Sequence, residues 1–235
     1  MDKKHGFTII ELTLAMAFIS VLLLSVVFVS IQVGQMYNRG ITLRSVNTSG
    51  RDIEAILRQD FLQTDSRQVA GSGENAVIWV SEGGEAINGR ICLGRYSYIW
   101  NSPRVLDEAR SGSGVVTLNG EPINFIRVID ENGALCVPQE GAYTNTLTDT
   151  ANTTQLLKTA SGSEVVMAIH DMSVTRVATV ADSPEGLFRI QFVVGTNKMS
   201  EILTSDQSCK APIDGESNIE FCAINQFEAI VRTNG

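Results

Sequence analysis

Apolar and polar positions in this 235-residue chain follow three successive patterns. Residues 12–38 hold no charged side chain and are mostly Leu, Val, Ile, Phe and Ala, a run longer than the roughly 20 residues a helix needs to cross a bilayer. The apolar positions then thin to helical spacing, with Ile53, Ile56, Leu57 and Phe61 on one face. Glu54 and Arg58 stand four apart in the order that favours a surface pair. The pattern predicts one helix from about Thr8 to about Thr64, its second half packed on a sheet, with Gly71, Ser72 and Gly73 closing the helical region.

Beyond that point the spacing becomes that of strands. Runs at 76–80, 91–100, 114–118, 124–129 and 134–137 are β-prone and divided by Gly, Asn and Pro, and Asn119-Gly120 and Asn132-Gly133 suit hairpin turns. The Thr-, Asn- and Ala-rich stretch 141–163 predicts a long loop with one helical turn near Leu156. A second block follows at 164–170, 172–180, 187–194 and 221–232, with a turn at Ser183-Pro184-Glu185-Gly186 and a polar loop over 196–218. The expected class is α+β, a spine helix laid across antiparallel strands.

Charge changes the picture at one residue. Glu11 stands at the start of the charge-free run, and a carboxylate there is costly in hydrocarbon unless it has a partner. Lys3 and Lys4 place the short N-terminal side in the cytoplasm and export the rest. A cleaved secretory signal does not fit, because Gln32-Val33-Gly34-Gln35-Met36-Tyr37 follows the apolar run where a small-x-small site is needed. A plain signal anchor explains the length and the lysines but gives Glu11 no role. The formal net charge of −8, from 18 basic and 26 acidic residues, argues against non-specific binding of nucleic acid. Cys92, Cys136, Cys209 and Cys222 lie beyond the apolar run without CxxC spacing, and in an oxidising compartment they read as two disulfides with three possible pairings.

The segment Lys3-Lys4-His5-Gly6-Phe7-Thr8-Ile9-Ile10-Glu11-Leu12 resembles the prepilin signature of type IV pilins and pseudopilins. The resemblance implies a leader over 1–6, cleavage between Gly6 and Phe7 by a membrane aspartyl prepilin peptidase, and N-methylation of Phe7. It gives Glu11 a partner, the N-terminal amine of a neighbouring subunit, so that the free monomer is strained and the filament satisfied. It divides the chain into a transmembrane and filament-core helix over 7–38, an amphipathic half over 39–70 and an exported β-rich head over 71–235. Many major pilins have a Pro within the membrane segment; here the first Pro is Pro103, and Ser20, Ser25, Ser30, Gly34 and Gly40 punctuate the helix instead. That departure, with chain size and strand order, makes the chain most similar to W-type minor pilins and J-type pseudopilins. Cys209 and Cys222 flank a short polar loop at the place of the disulfide-bounded loop of many type IV pilins. Pairing Cys209 with Cys222 closes that local loop and leaves Cys92 for Cys136.

The implied function is that of a minor subunit in assembly or initiation of a type IV pilus or related filament, with roles in adhesion, twitching motility or DNA uptake. The alternatives are a pseudopilin of a type II secretion system, or a signal-anchored exported enzyme or receptor. Expected partners are other pilin subunits, the prepilin peptidase, the inner-membrane assembly platform and the membrane itself. The precursor is expected in the inner membrane and the mature subunit in an extracellular or periplasmic filament.

No cofactor and no catalytic residue are expected. His170-Asp171 has no nucleophile motif nearby and reads as a surface or strand-end histidine. Glu82 with Glu85, and Asp107 with Glu108, read as solvated turns. Asp206, Asp214 and Glu216 offer oxygen ligands for calcium without EF-hand spacing, and the sequon Asn152-Thr153-Thr154 is set aside. Alternation puts Tyr96, Tyr98 and Trp100 on one strand face, either in sheet packing or as an adhesive surface.

Overall fold

A single α-helix, α1 (Ile9–Leu62), dominates the computed structural model, which describes residues 8–69, 75–108, 112, 114–157, 166–179, 185–203, 208–210 and 221–234. The serines do not interrupt it. Ser20, Ser25 and Ser30 each donate to the carbonyl four residues back, at 2.8, 2.9 and 2.8 Å, so their hydroxyls are satisfied within the helix. Nearly every side chain up to Ile41 is exposed; burial begins at Thr42 and continues through Val46, Gly50, Ile53, Leu57, Asp60 and Phe61. This three-and-four spacing is the amphipathic stripe expected of a helix laid on a core. The helix stops at Leu62, before residue 70: the Thr64 hydroxyl donates to the Asp60 carbonyl at 2.7 Å and to the Leu93 carbonyl at 3.0 Å, turning the chain onto the sheet.

In chain order there follow β1 (Ile78–Glu82), β2 (Glu85–Leu93), β3 (Tyr96–Asn101), α2 (Pro103–Asp107), β4 (Thr117–Leu118), β5 (Glu121–Pro122), β6 (Phe125–Ile129), β7 (Thr146–Leu147) and β8 (Thr153–Leu157). The second half holds β9 (Met167–Thr179), β10 (Gly186–Thr196), β11 (Ile202–Leu203), β12 (Ser208–Cys209) and β13 (Ile224–Thr233). A five-stranded antiparallel sheet has the order β1-β2-β3-β6-β8, and a three-stranded antiparallel sheet the order β13-β10-β9. Two small ladders, β5-β4-β7 and β11-β12, lie beside them.

The core forms where α1 meets both larger sheets. Val46, Ile53, Leu57 and Phe61 join Trp100 and Phe125 from one sheet and Phe188, Phe192 and Phe227 from the other in one buried cluster. Phe61 meets Phe188 at 5.6 Å between ring centroids, and Phe192 stacks on Phe227 at 5.2 Å. Burying one such phenyl ring contributes roughly 2–3 kcal/mol. The architecture is therefore α+β, a long apolar N-terminal helix packed against antiparallel sheets.

Several strand expectations need correction. The run 91–100 is two strands: Gly94, at φ +71°, turns β2 into β3. The strand expected at 134–137 is a 3-10 turn, Ala134–Cys136, entered through the left-handed Gly133, so Asn132-Gly133 makes no hairpin. Asn119-Gly120 does, joining β4 to β5. Leu156 lies in β8, not in a helical turn, because the edge of β6 was open to pairing; Gln155 and Thr154 lie opposite Ile126 and Arg127. Runs 164–170 and 172–180 merge into β9, and the expected loop 196–218 contains a 3-10 turn, Met199–Glu201, with β11 and β12. Gly71, Ser72, Gly73, Ser183 and Pro184 lie outside the described residues.

Candidate functional site

Glu11 is held by its own helix end. The Thr8 backbone N–H donates to Glu11 Oε2 at 2.9 Å and the Thr8 hydroxyl to the same oxygen at 3.0 Å, while the Glu11 N–H donates to Thr8 Oγ at 3.3 Å. This is a reciprocal capping box, which satisfies two of the N–H groups every helix start leaves open. The sequence reading left Glu11 without a partner in the free chain; the structure corrects that, because Thr8 stands three residues before it. Leu14, Ala15, Ala17, Phe18 and Val21 line a shallow apolar surface directly beside the carboxylate. Gly6 and Phe7, the expected processing residues, lie outside the described residues.

At the other end of α1 a polar lock joins helix to sheet. Asp60, 1% exposed, accepts from Arg127 Nε at 2.6 Å and Nη2 at 2.7 Å, and also from the Tyr98 hydroxyl. Arg127 lies over the Tyr96 ring, 3.6 Å from its centroid. Burial, then the Asp60 charge, pushes the Tyr98 phenol well above its ordinary range, and the hydrogen bonds to Asp60 raise Arg127 further. A buried carboxylate needs such a fork of donors to be tolerated. Sequence reasoning placed Asp60 on the helix but gave it no role; the available signal was a lone carboxylate on the otherwise apolar Ile53, Leu57, Phe61 face.

Both disulfides form, Cys92–Cys136 and Cys209–Cys222, and no described cysteine is free. Two residues from Cys92, the fully buried Arg90 has no carboxylate partner among the described residues. Its guanidinium donates to Asn88 Oδ1 at 3.3 and 3.1 Å, to the Leu135 carbonyl at 2.6 Å, to the Thr144 carbonyl at 3.4 Å and to Asn145 Oδ1 at 2.7 Å. Burial pushes its pKa down to about 10, with the adjacent Tyr143 opposing. Arg90 and the Cys92–Cys136 bridge thus bind the segment after β6 back onto β2 at two points.

The remaining candidate chemistry disperses. His170 lies within β9, mostly buried, and its Nε2 donates to the Thr196 carbonyl at 2.8 Å, so it is neither a surface nor a strand-end residue. Burial drives its pKa down to about 4, the Thr196 bond opposing. Asp171 follows it at a bulge in β9, between the core-facing Ile169 and Met172, and its Oδ1 accepts from the Met172 N–H at 2.9 Å. Glu85 and Glu108 both pair with Arg104. Tyr98 and Trp100 are fully buried, which removes the adhesive-face alternative; Trp100 packs where Gly89 has no side chain, since a Cβ there would lie 2.2 Å from its ring. Asp206, Asp214 and Glu216 lie outside the described residues. Among the described residues no group of three or more His, Cys, Asp and Glu side chains is placed to hold a metal ion.

Comparison of the chain with protein-family models, with curated proteins and with solved structures finds no match.

Proposed function

We propose that this chain is a pilin-like filament subunit: an exported β-rich head on a helix that resides in the inner membrane until it is packed among other such helices. The observation that carries this is the switch in α1 at Thr42. One uninterrupted helix is seated on the head through a buried stripe on one side of that residue, while on the other its Leu, Val, Ile and Phe side chains stand exposed. So large an apolar surface demands lipid or protein around it. The exposed half is long and apolar enough to cross a membrane, and Glu11 is its sole charge before Arg39. The head supplies stability for an oxidising compartment through two disulfides. The missing Pro before Pro103 supports a minor subunit, processed between Gly6 and Phe7, that acts in filament assembly or initiation.

The test is the mass of the mature N-terminus when the chain is expressed with a prepilin peptidase. Expected is an N-methylated Phe7 end; an intact Met1 end on a normally exported protein would overturn the proposal.

A further inference from the structure

Two arginines flank the apolar half of α1 on its head side. Between Phe7 and Gly50 the only basic side chains are Arg39 and Arg44, and no acidic residue intervenes between Glu11 and Asp52. Both arginines are exposed and pair with no carboxylate among the described residues. Tyr37, 68% exposed, lies one half-turn before Arg39. At 1.5 Å per residue, Ile9 to Asn38 spans about 45 Å, which matches the roughly 40–45 Å of a bilayer including its headgroups. Arg39 then falls at the headgroup plane and Arg44 about 7.5 Å beyond it. Helical side chains lean toward the N-terminus, so both guanidinium groups reach back toward the membrane. Tyr37, apolar with a polar tip, falls in the same layer, where aromatic residues concentrate.

Resting on the assignment of this half of α1 as a membrane span, we propose that Tyr37, Arg39 and Arg44 form a collar that binds the anionic phospholipid headgroups of the head-side leaflet. The direction of the side chains selects lipid over a protein partner. Five residues apart on a helix, Arg39 and Arg44 point about 140° away from each other. A docked subunit would meet one of them; lipid surrounding the helix meets both. Charge complementarity extends to the head. The chain carries a net charge of −8 while α1 holds as many basic as acidic side chains, so the acidic excess lies outside the helix. Anionic headgroups therefore attract the neck and repel the head, which fixes the depth of the helix and holds the domain off the surface.

The full chain, reconstituted in vesicles of equal phosphatidylglycerol and phosphatidylcholine, tests this with spin-labelled forms of each lipid. Phosphatidylglycerol should be enriched at the protein by about threefold or more, and half-molar salt should weaken the preference. The double variant Arg39→Gln, Arg44→Gln should insert normally and lose the enrichment. Insertion without a phosphatidylglycerol preference, or a preference unchanged in the double variant, overturns the collar while leaving the span intact. Failure to resist carbonate extraction overturns the span and the collar together. An unchanged lipid preference with reduced filament incorporation assigns the arginines to a neighbouring acidic subunit and also overturns the collar.

Discussion

Gly50 of α1 lies against the ring of Phe227 so closely that a Cβ added there would stand 2.1 Å from Phe227 Cζ. Phe227 is itself stacked on Phe192, so the ring cannot move aside without unpacking the sheet. Gly50→Ala is expected to destabilise the full chain by about 1–3 kcal/mol, as overpacked cores do. Gly34→Ala, where nothing stands within 4 Å, should cost nothing. Thermal unfolding of both variants in detergent checks the contrast, and equal behaviour would show that the helix is not seated on Phe227.

Asp60 and Arg127 hold the far end of the helix. Arg127→Met leaves the Asp60 carboxylate buried with, among the described residues, only the Tyr98 hydroxyl as a charge-stabilising side-chain donor, and a loss of about 3 kcal/mol is expected. Asp60→Asn with Arg127→Met should lose less than the two single changes added together. Denaturant unfolding across the cycle measures the coupling, and strict additivity would contradict the lock.

Capping and charge can be separated at Glu11. Glu11→Gln keeps a capping-box residue at the third helical position but removes the charge, whereas Glu11→Ala removes both. If the carboxylate pairs with a neighbouring subunit's amine, both variants should be processed yet poorly incorporated into sheared filaments. Normal incorporation of Glu11→Gln, with loss only in Glu11→Ala, would assign Glu11 to helix capping alone.

Acid should weaken the head partly through His170. The unfolded side chain takes up a proton below about 6.5, but burial delays uptake in the folded chain to about 4. The contribution of neutral His170 is thus fully present above pH 6.5 and is lost as the pH falls toward 4, reaching roughly 3 kcal/mol. His170→Gln should flatten the stability profile across that window relative to wild type. Parallel profiles would show that His170 titrates alike in both states.

Reduction should separate the two bridges. Cys92–Cys136 spans 44 residues and Cys209–Cys222 spans 13, so in the chain-entropy picture opening the longer loop costs about 1 kcal/mol more. Paired Ser substitutions at each bridge, compared by denaturant midpoint, give the order; the reverse order would contradict the chain-entropy account of these two bridges.

Much of this molecule was legible because its strongest signals are local. The helix was expected over about Thr8 to Thr64 and spans Ile9–Leu62, since a long charge-free apolar run passes without a breaker into a segment of helical spacing. The Glu54–Arg58 pair, at 2.8 Å, needed only helical spacing. Both disulfides came from chain position and loop closure. What escaped was long-range: Asp60 with Arg127, and Arg90 with Leu135, Thr144 and Asn145, join residues whose proximity only the sheet order creates. β8 was missed because Thr-Thr-Gln is polar, and its strand conformation comes from the open edge of β6.

The position of the Asp60–Arg127 lock has a mechanical consequence. The buried stripe of α1 begins at Thr42 and ends at Phe61, and the ion pair sits at the end farthest from the exposed half. Tension applied through that half runs along the helix axis. It loads the contact in shear, across Val46, Gly50, Ile53, Leu57 and Phe61 together, and does not peel them apart one turn at a time. A domain hung this way from its own helix resists extraction with its whole interface, the Asp60–Arg127 pair included.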